Sequence, residues 1–196
     1  MNSERPDTRQ HILTCGQQLI AAKGFVGVGL AEILASASVP KGSFYHYFAS
    51  KEAFGAALLD NYFADYLSRV DALLGRSDLS GAQRLLTYFQ RWIETQCGED
   101  SAQKCLIVKL GAEISDLSES MRSSMLAGTE SILRQLADCI AAGQADGSIG
   151  STQDPAEAAQ WLYQAWLGAS LLTKLRRDCS SLDAALSGTR AHLKLN

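Results

Sequence analysis

The sequence predicts an all-α protein, and three observations lead to that prediction. Apolar residues recur at intervals of three and four from residue 6 to residue 23 and along most of the later chain. Each of the three prolines, Pro6, Pro40 and Pro155, stands where a helix is expected to begin. The Gly- and Ser-containing segment 147–153 shows no alternation typical of strands. Together these features favour helices joined by short loops.

The helices can be placed in order along the chain. Gly24 is expected to end the first one, since glycine readily takes the left-handed conformation found at helix C-termini. Ser50 is a good N-cap for the fourth, and 75–80 reads as a loop after it. The predicted helices lie at about 6–23, 30–37, 41–48, 51–74, 81–96, 103–112, 117–145, 155–177 and 181–194.

Length, hydropathy and charge narrow the class of protein. The chain has 196 residues, of which 46% are apolar, as in folded soluble proteins. No apolar run reaches the roughly 20 residues of a membrane span, and the polar N-terminus resembles no signal peptide, so a cytoplasmic protein without membrane contact is expected. Residues 1–51 hold five Lys and Arg against three Asp and Glu, whereas the remainder is acidic. A mildly basic head on an acidic body fits a small nucleic-acid-binding module.

The most informative segment is 24–52, GFVGVGLAEILASASVPKGSFYHYFASKE. Two short helices separated by Ser38, Val39 and Pro40 make a helix-turn-helix unit, whose second helix enters the major groove in DNA-binding proteins. The alternative is that the aromatic cluster only fills a core. A small core is predicted from Ile33, Leu34, Val39, Phe44 and Phe48.

The second helix of the unit would present polar and aromatic groups to DNA. Ser43, Tyr47 and Lys51 are of the types that bind phosphates, and Lys51 also stands at a helix N-terminus. Lys41 and Tyr45 are better placed for base edges, and Gly42 allows close approach of the backbone. The predicted DNA-binding residues are Lys41, Gly42, Ser43, Tyr45, His46, Tyr47 and Lys51.

These residues resemble the head of the TetR family, whose pattern runs G-F…V-x-x-G-[ST]-[LF]-Y-x-Y-F-x-[ST]-K-E. Gly29 departs from the pattern, since the family usually has Ser or Thr as the cap there. The matching residues are Gly24, Phe25, Val39, Gly42, Ser43, Phe44, Tyr45, Tyr47, Phe48, Ser50, Lys51 and Glu52.

The resemblance implies a three-helix DNA-binding head at 1–51, a regulatory and dimerisation domain at 52–196, and a homodimer that binds a palindromic double-stranded DNA operator. It also implies that the last two long helices form the dimer interface. Small and aromatic residues at helical spacing in 155–177 suit that role, although an internal core helix is the alternative. The predicted interface residues are Ala159, Tyr163, Trp166, Leu167, Ser170 and Leu171.

A narrower resemblance lies at 104–122, KCLIVKLGAEISDLSESMR. It is similar to TetR repressors that sense N-ethylmaleimide, reactive aldehydes, quinones and oxidants and control detoxifying reductases. In that subgroup the cysteine matching Cys105 is the sensor, so the implied inducer is a small electrophile or oxidant. A helix start with Lys104 and Lys109 nearby independently favours the thiolate, although Cys105 could merely fill the helix face. Lys174 is a candidate to stabilise the thiolate or capture its oxidised form.

The remaining residues suggest no cofactor, no metal site and no catalytic set. Cys97 stands in an acidic setting that disfavours thiolate, and Cys15, Cys139 and Cys179 are assigned to packing. The five cysteines show no C-x-x-C pair, so neither a disulfide framework nor a zinc site is expected.

Two alternatives to a thiol-sensing repressor remain open. A helical thiol enzyme would need a base beside Cys105, and the three scattered histidines do not identify one. A repressor released by reversible binding of a planar or hydrophobic ligand would need an apolar pocket. Its candidate lining is Trp92, Trp161, Tyr163 and Trp166, which could equally be core residues.

Overall fold

A computed structural model describes residues 7–98 and 105–195, and helices fill most of that part of the chain. In chain order they are α1 (Thr8–Lys23), α2 (Leu30–Ala37), α3 (Lys41–Tyr47), α4 (Lys51–Leu74), α5 (Gly81–Cys97), α6 (Leu106–Ser115), α7 (Glu119–Ala145), α8 (Pro155–Arg176) and α9 (Ser180–Leu193). No strand occurs within the described residues, and the all-α prediction is confirmed. No helix in the described ranges combines the length and apolar character needed to cross a membrane.

Polar side chains fix where several helices begin. Asp7 Oδ1 accepts a hydrogen bond from Arg9 N at 3.0 Å and starts α1, whereas Pro6 lies outside the described residues. Ser80 and Gln83 form a reciprocal capping box at the start of α5. Asp154 accepts hydrogen bonds from two N–H groups in the first turn of α8. These caps satisfy backbone donors that a helix cannot satisfy itself.

The first of two compact units comprises Met1–Ala64 and Lys104–Ala127. Gly16 of α1 allows close packing against α4, because a Cβ at this position would lie 2.3 Å from Phe54 Cζ. By contacts, α6 and the first part of α7 group with the head, which differs from a division after residue 51. The functional boundary at residue 51 stays a prediction. Buried apolar residues of this unit include Ile12, Leu13, Ile20, Ile33, Phe44, Phe54, Leu58 and Leu110.

The second unit comprises Asp65–Gln103 and Gly128–Asn196. Its aromatic core joins α5 to α8, with the rings of Phe89 and Trp166 stacked at a centroid distance of 4.3 Å. Trp92 Nε1 donates a hydrogen bond to Ser170 Oγ at 2.9 Å, so the indole of α5 is satisfied inside the core. Trp166 is likewise satisfied, since its Nε1 donates to Thr189 Oγ1 of α9 at 2.9 Å.

Candidate functional site

The helix-turn-helix unit has the predicted form. Ser38 adopts the left-handed conformation with φ of 52°, and this residue ends α2 so that the chain can turn into α3. Ile33 and Phe44 are fully buried between the helices and Phe48 is 3% exposed. Leu34 and Val39, also predicted for this core, are half-buried. The unit therefore has its own apolar centre and directs the rest of α3 outward.

The outward side of α3 carries most of the residues predicted to contact DNA. Lys41, Gly42 and His46 are exposed, and Ser43 is half-buried. Tyr45 and Tyr47 are 49% and 38% exposed, which is unusual for large aromatic side chains. A Cβ added at Gly42 would meet nothing within 4 Å, so the backbone is open to a partner there. These six residues form the candidate DNA-binding face.

The seventh predicted residue, Lys51, has a role inside the head. Its Nζ donates a hydrogen bond of 2.8 Å to the carbonyl oxygen of Phe25 and lies 4.4 Å from the centroid of the Phe25 ring. An ammonium group has three donors, so this contact leaves capacity for a phosphate. The sequence missed the structural role because it depends on the backbone of a distant turn. Phosphate binding by Lys51 stays a prediction.

Two side chains of α6 contact the turn between α1 and α2. Glu113 accepts hydrogen bonds from the backbone N–H groups of Phe25 at 3.2 Å and Val26 at 2.6 Å. Lys109 Nζ donates to the carbonyl oxygen of Ala22, in the last turn of α1, at 3.0 Å. The backbone groups at the C-terminal end of α1 and just beyond it have no partners within the helix. These contacts satisfy them. Glu113 was not among the functional residues predicted from the sequence.

Gly24 explains how the carboxylate of Glu113 can approach this turn. The residue ends α1 with φ of 84°, a conformation that favours glycine. A Cβ at Gly24 would also lie 3.0 Å from Glu113 Oε2. Gly24 is therefore favoured by its backbone conformation, and the absence of a side chain also leaves room for the carboxylate.

Cys105 stands immediately before α6 as its N-cap residue and is half-buried. Its thiol lies at the positive end of the helix dipole, which favours the thiolate. Spacing by four places Cys105, Lys109 and Glu113 along one side of α6, next to the buried row of Leu106, Leu110 and Ile114. The candidate sensor and the two contacts to the head therefore share one short helix.

The structure describes only one of the two lysines proposed to act on Cys105. Lys104 lies outside the described residues. Lys174 lies exposed in the last turn of α8, in the second unit, whereas Cys105 belongs to the first. The pairing of Lys174 with Cys105 stays a prediction.

The other cysteines divide into three environments. Cys97 and Cys179 form a disulfide, so the expectation of no disulfide is wrong for this pair, and so is the packing role assigned to Cys179. Cys139 is 3% exposed, and burial raises the pKa of its thiol to about 11, in agreement with a packing role. Cys15 is half-buried, with Sγ 3.8 Å from Nε2 of His11. Across the described residues, His, Cys, Asp and Glu side chains form no cluster of three that could hold a metal ion.

The predicted dimer residues of α8 largely face the interior of their own unit. Ala159, Tyr163, Trp166 and Ser170 are at most 3% exposed in the single chain, so they have almost no surface to offer a partner. This corrects the interface assignment for these four residues, because the three- and four-residue spacing marked the core side of α8. Of the six, only Leu167, half-buried, and Leu171, 50% exposed, keep accessible surface.

A different side of α8 is apolar and exposed. Trp161, Leu172 and Leu175 are 45%, 43% and 71% exposed, and Ala165 and Gly168 lie between them at steps of three and four. Residues at this spacing form one continuous stripe on a helix. We call Trp161, Ala165, Gly168, Leu172 and Leu175 the α8 stripe.

The aromatic residues offered as a ligand pocket lie in two different places. Trp92, Tyr163 and Trp166 pack against one another in the core, with ring centroids 5.7–5.9 Å apart around Trp92. Trp161 instead lies on the surface, stacked on His192 at 4.0 Å. A groove of about 450 Å³ between α5 and α9 is lined by Leu86, Thr87, Gln90, Arg91, Glu94, Leu186 and Arg190. Its mainly polar lining differs from that of a typical hydrophobic ligand site.

Comparison with known proteins identifies the family. Residues 12–58 match the model for bacterial regulatory proteins of the tetR family, and residues 81–189 match that for the tetracyclin repressor-like C-terminal domain. The chain is 43% identical over 188 residues to the HTH-type transcriptional repressor NemR of Escherichia coli K12, covering 96% of this chain and 92% of NemR. It is 37% identical over 183 residues to the repressor DhaR of Mycobacterium sp. GP1, covering 93% and 90%.

The chain belongs to the TetR family. The crystal structure of the reduced form of E. coli NemR superposes with a TM-score of 0.90 at 42% identity, over 94% of this chain and 96% of that one. This confirms both the fold and the resemblance to the NemR-like repressors.

The TetR motif of this chain contains two physically different groups of residues. Phe44 and Phe48 are buried and Lys51 contacts the turn at Phe25, so these matches preserve the head itself. Tyr45 and Tyr47 are exposed and are available to DNA. A match to the motif therefore indicates both the fold of the head and its DNA-binding surface.

Gly29, the departure from the TetR motif, occupies the N-cap of α2. It has φ of −80°, which any residue can adopt, and makes no side-chain cap hydrogen bond. A Cβ would meet nothing within 4 Å. The departure leaves the fold intact, but it removes a side-chain cap and one possible phosphate contact.

Proposed function

We propose that this TetR-family repressor binds a palindromic operator as a homodimer and is released when Cys105 reacts with an electrophile or oxidant, in control of detoxifying reductase genes. Because an operator is chromosomal, the protein acts in the cytoplasm, and its activity is regulatory rather than enzymatic. The observation that carries the proposal is the position of Cys105 at the start of α6, the helix whose Lys109 and Glu113 contact the head.

DNA binding is supported by the exposed side of α3. Tyr45 and Lys41 lie together, with Lys41 Nζ 5.8 Å from the centroid of the Tyr45 ring, and both project from a helix-turn-helix unit with its own core. Side chains at such positions contact base edges in the major groove, while neighbouring hydroxyl and ammonium groups contact phosphates. We assign base contacts to Lys41 and Tyr45, and phosphate contacts to Ser43, Tyr47 and Lys51.

Dimerisation is assigned to the α8 stripe, together with the adjoining α9. The stripe exposes three large apolar side chains that would otherwise face water. Gly168 lies in its middle and has open space above it, which permits close approach of a second helix. In a symmetric dimer the same stripe faces itself, so each large residue on one copy finds apolar surface on the other.

The coupling between Cys105 and DNA runs through α6. A maleimide reacts when the Cys105 thiolate attacks one alkene carbon, forming a C–S bond, and the other alkene carbon takes a proton. The added group changes the size and polarity of a half-buried helix start. A displacement of α6 moves Lys109 and Glu113 away from the turn at residues 22–26, and the helices on either side of that turn are part of the head.

The energies involved are of the required order. Converting an almost fully binding-competent population into an almost fully incompetent one needs about 5.5 kcal/mol of differential stabilisation. A hydrogen bond to a charged group contributes about 1.5–3 kcal/mol, and less where water reaches it. The three contacts made by Lys109 and Glu113 therefore supply part of the total, and the loss of packing around a modified Cys105 supplies more.

The decisive experiment measures release of operator DNA by wild type and by Cys105→Ser. Both proteins should bind the operator, but only wild type should release it after treatment with N-ethylmaleimide, a methylglyoxal-like aldehyde or hypochlorite. Cys139→Ser is the matched control, because it removes a buried thiol of raised pKa and should leave the response intact. Lys174→Ala tests the accessory lysine and should slow the reaction of Cys105.

Two outcomes would contradict the proposal. If Cys105→Ser releases the operator as readily as wild type after N-ethylmaleimide treatment, the thiol chemistry at Cys105 is wrong and reversible ligand binding is the better explanation. If wild type binds no duplex tightly, repression itself is wrong.

A further inference from the structure

A disulfide joins α5 to α9 within the second unit. It links Cys97, the last residue of α5, to Cys179, which precedes α9 as its N-cap residue. The two cysteines are 82 residues apart in sequence, and their Cα atoms are 6.1 Å apart, within the normal range for a disulfide. Both residues are half-buried, so neither cysteine is fully enclosed by the core.

The redox state of the cellular compartment determines whether such a disulfide is permanent or reversible. If the chain is a repressor acting on chromosomal DNA, as proposed above, it works where glutathione and thioredoxin keep thiols reduced. Disulfides in that compartment are usually transient and serve catalysis or redox sensing. A permanent structural bond is therefore not expected between two half-buried cysteines there.

We propose that Cys97 and Cys179 form a second, reversible thiol site that records two-electron oxidants such as hypochlorous acid, independently of Cys105. Alkylating electrophiles cap these thiols without joining them, so only oxidants connect α5 to α9. The site thus distinguishes oxidants from alkylating electrophiles, whereas Cys105 alone would respond to both.

The two cysteines have different roles in forming the bond. Cys179 stands at the N-terminus of the 14-residue helix α9 and follows Arg176 and Arg177, features that favour its thiolate despite the neighbouring Asp178 carboxylate. Cys97 ends α5, where the helix dipole has the opposite sign. Cys179 is therefore the nucleophile that meets the oxidant, and Cys97 resolves the product.

The chemistry balances with hypochlorous acid as oxidant. The Cys179 thiolate attacks chlorine, forms an S–Cl bond and expels hydroxide. The sulfur of Cys97 then attacks the Cys179 sulfur, the S–S bond forms, and chloride and the Cys97 proton leave. Overall, two thiols and HOCl give one disulfide, water and HCl, and a dithiol reductant reverses the change by thiol–disulfide exchange.

The test uses full-length Cys105→Ser, which lacks the first sensor. Reduced protein is treated with one equivalent of hypochlorous acid, and intact mass, non-reducing gel mobility and Tm are measured. We expect the mass to fall by two hydrogen atoms, a monomer band of faster mobility, and a Tm higher by about 10 °C, since closing an 82-residue loop restricts the unfolded chain. Dithiothreitol should reverse all three changes.

Variants and controls assign the change to this pair. Adding Cys97→Ser or Cys179→Ser should abolish it, whereas adding Cys139→Ser or Cys15→Ser should preserve it. Prior N-ethylmaleimide treatment of the reduced protein should also abolish it. In a glutathione buffer with a large excess of the reduced form the thiols should stay reduced, and the bond should form as the oxidised form predominates.

Three results would overturn the inference: no intrachain bond under any oxidant, a disulfide-linked dimer instead, or a bond that persists in excess reduced glutathione. None of these readouts uses DNA or Cys105. Failure of the proposed repressor function is therefore distinguishable from failure of this site.

Discussion

Glu113 accepts a hydrogen bond of 2.6 Å from the backbone N–H of Val26, a residue 87 positions earlier in the chain. A second carboxylate oxygen of Glu113 accepts from the adjacent N–H of Phe25. The turn that leads from α1 into the helix-turn-helix unit therefore depends on a charged side chain supplied by α6.

Replacing Glu113 by Gln should loosen this turn. The amide keeps one acceptor but loses the charge and the second acceptor, so we expect a loss of about 1–2 kcal/mol in the free energy of unfolding and weaker operator binding. The rate at which Cys105 is alkylated should change little. Urea unfolding, operator titration and alkylation kinetics measure the three quantities.

Glu119→Gln is the control for that substitution, since Glu119 is a surface carboxylate of the same unit paired with Arg122. It should leave all three measurements unchanged. Wild-type stability and operator affinity in Glu113→Gln would show that the contact to the turn is not needed.

Lys51 and Tyr45 should respond differently to truncation. Lys51→Ala removes the hydrogen bond to Phe25 as well as a phosphate contact, so it should lower head stability, weaken binding to every sequence and flatten the salt dependence by about one unit. Tyr45→Ala should keep stability, cost about 1–3 kcal/mol on the operator and relax sequence preference. Equal losses on specific and nonspecific DNA in both variants would reject this division.

Gly29→Thr should restore the cap that the family usually has. The site accepts a side chain without a clash, and a threonine hydroxyl can accept a hydrogen bond from the first turn of α2 and donate to a phosphate. We expect a gain of a few tenths of a kcal/mol in stability and tighter DNA binding.

Gly29→Ala is the matched variant without a hydroxyl. Titration of both proteins against operator DNA at several salt concentrations separates the hydroxyl from the added Cβ. If the alanine variant binds as tightly as the threonine variant, the hydroxyl makes no phosphate contact.

Leu172→Glu should break the dimer. The substitution places a charge within the α8 stripe, where two apolar surfaces would have to enclose it. We expect a shift toward monomer in sedimentation and a steep fall in operator affinity, because a separated copy binds only one half-site.

Gln160→Glu introduces the same side chain on the same helix outside the stripe and should leave the dimer intact. If both variants remain dimers at micromolar concentration, the α8 stripe is not the interface. A large residue at Ala159 or Ser170 should instead damage the folded unit, since both positions are buried within it.

The sequence predicted the helices well because their ends carry local signals. Gly24, Ser50 and Pro155 mark boundaries through backbone conformation and capping, which depend on nearby residues. The exposed face of α3 was also predictable, since Phe44 and Phe48 fix which side of that helix is buried.

Contacts between distant segments were not predictable in the same way. Helix α8 has two apolar sides, and spacing alone does not show which of them is buried. Only the structure shows that Trp166 faces the core and Leu172 faces outward. The pairing of Cys97 with Cys179 depends on how α5 and α9 pack, to which local sequence contributes nothing. Glu113 resembles any exposed helical carboxylate until the position of Val26 is known.

The inclusion of α6 in the first unit bears on the construction of chimeric repressors. Joining the head of one regulator to the body of another normally assumes that the head is a continuous stretch at the N-terminus. Here Glu113 holds the turn at Val26. A transplant that ends at residue 51 or 64 would take Val26 from one protein and residue 113 from the other, so their hydrogen bond would depend on an untested pairing. A faithful exchange of DNA specificity would carry residues 105–115 with the head, or would replace only the exposed residues of α3.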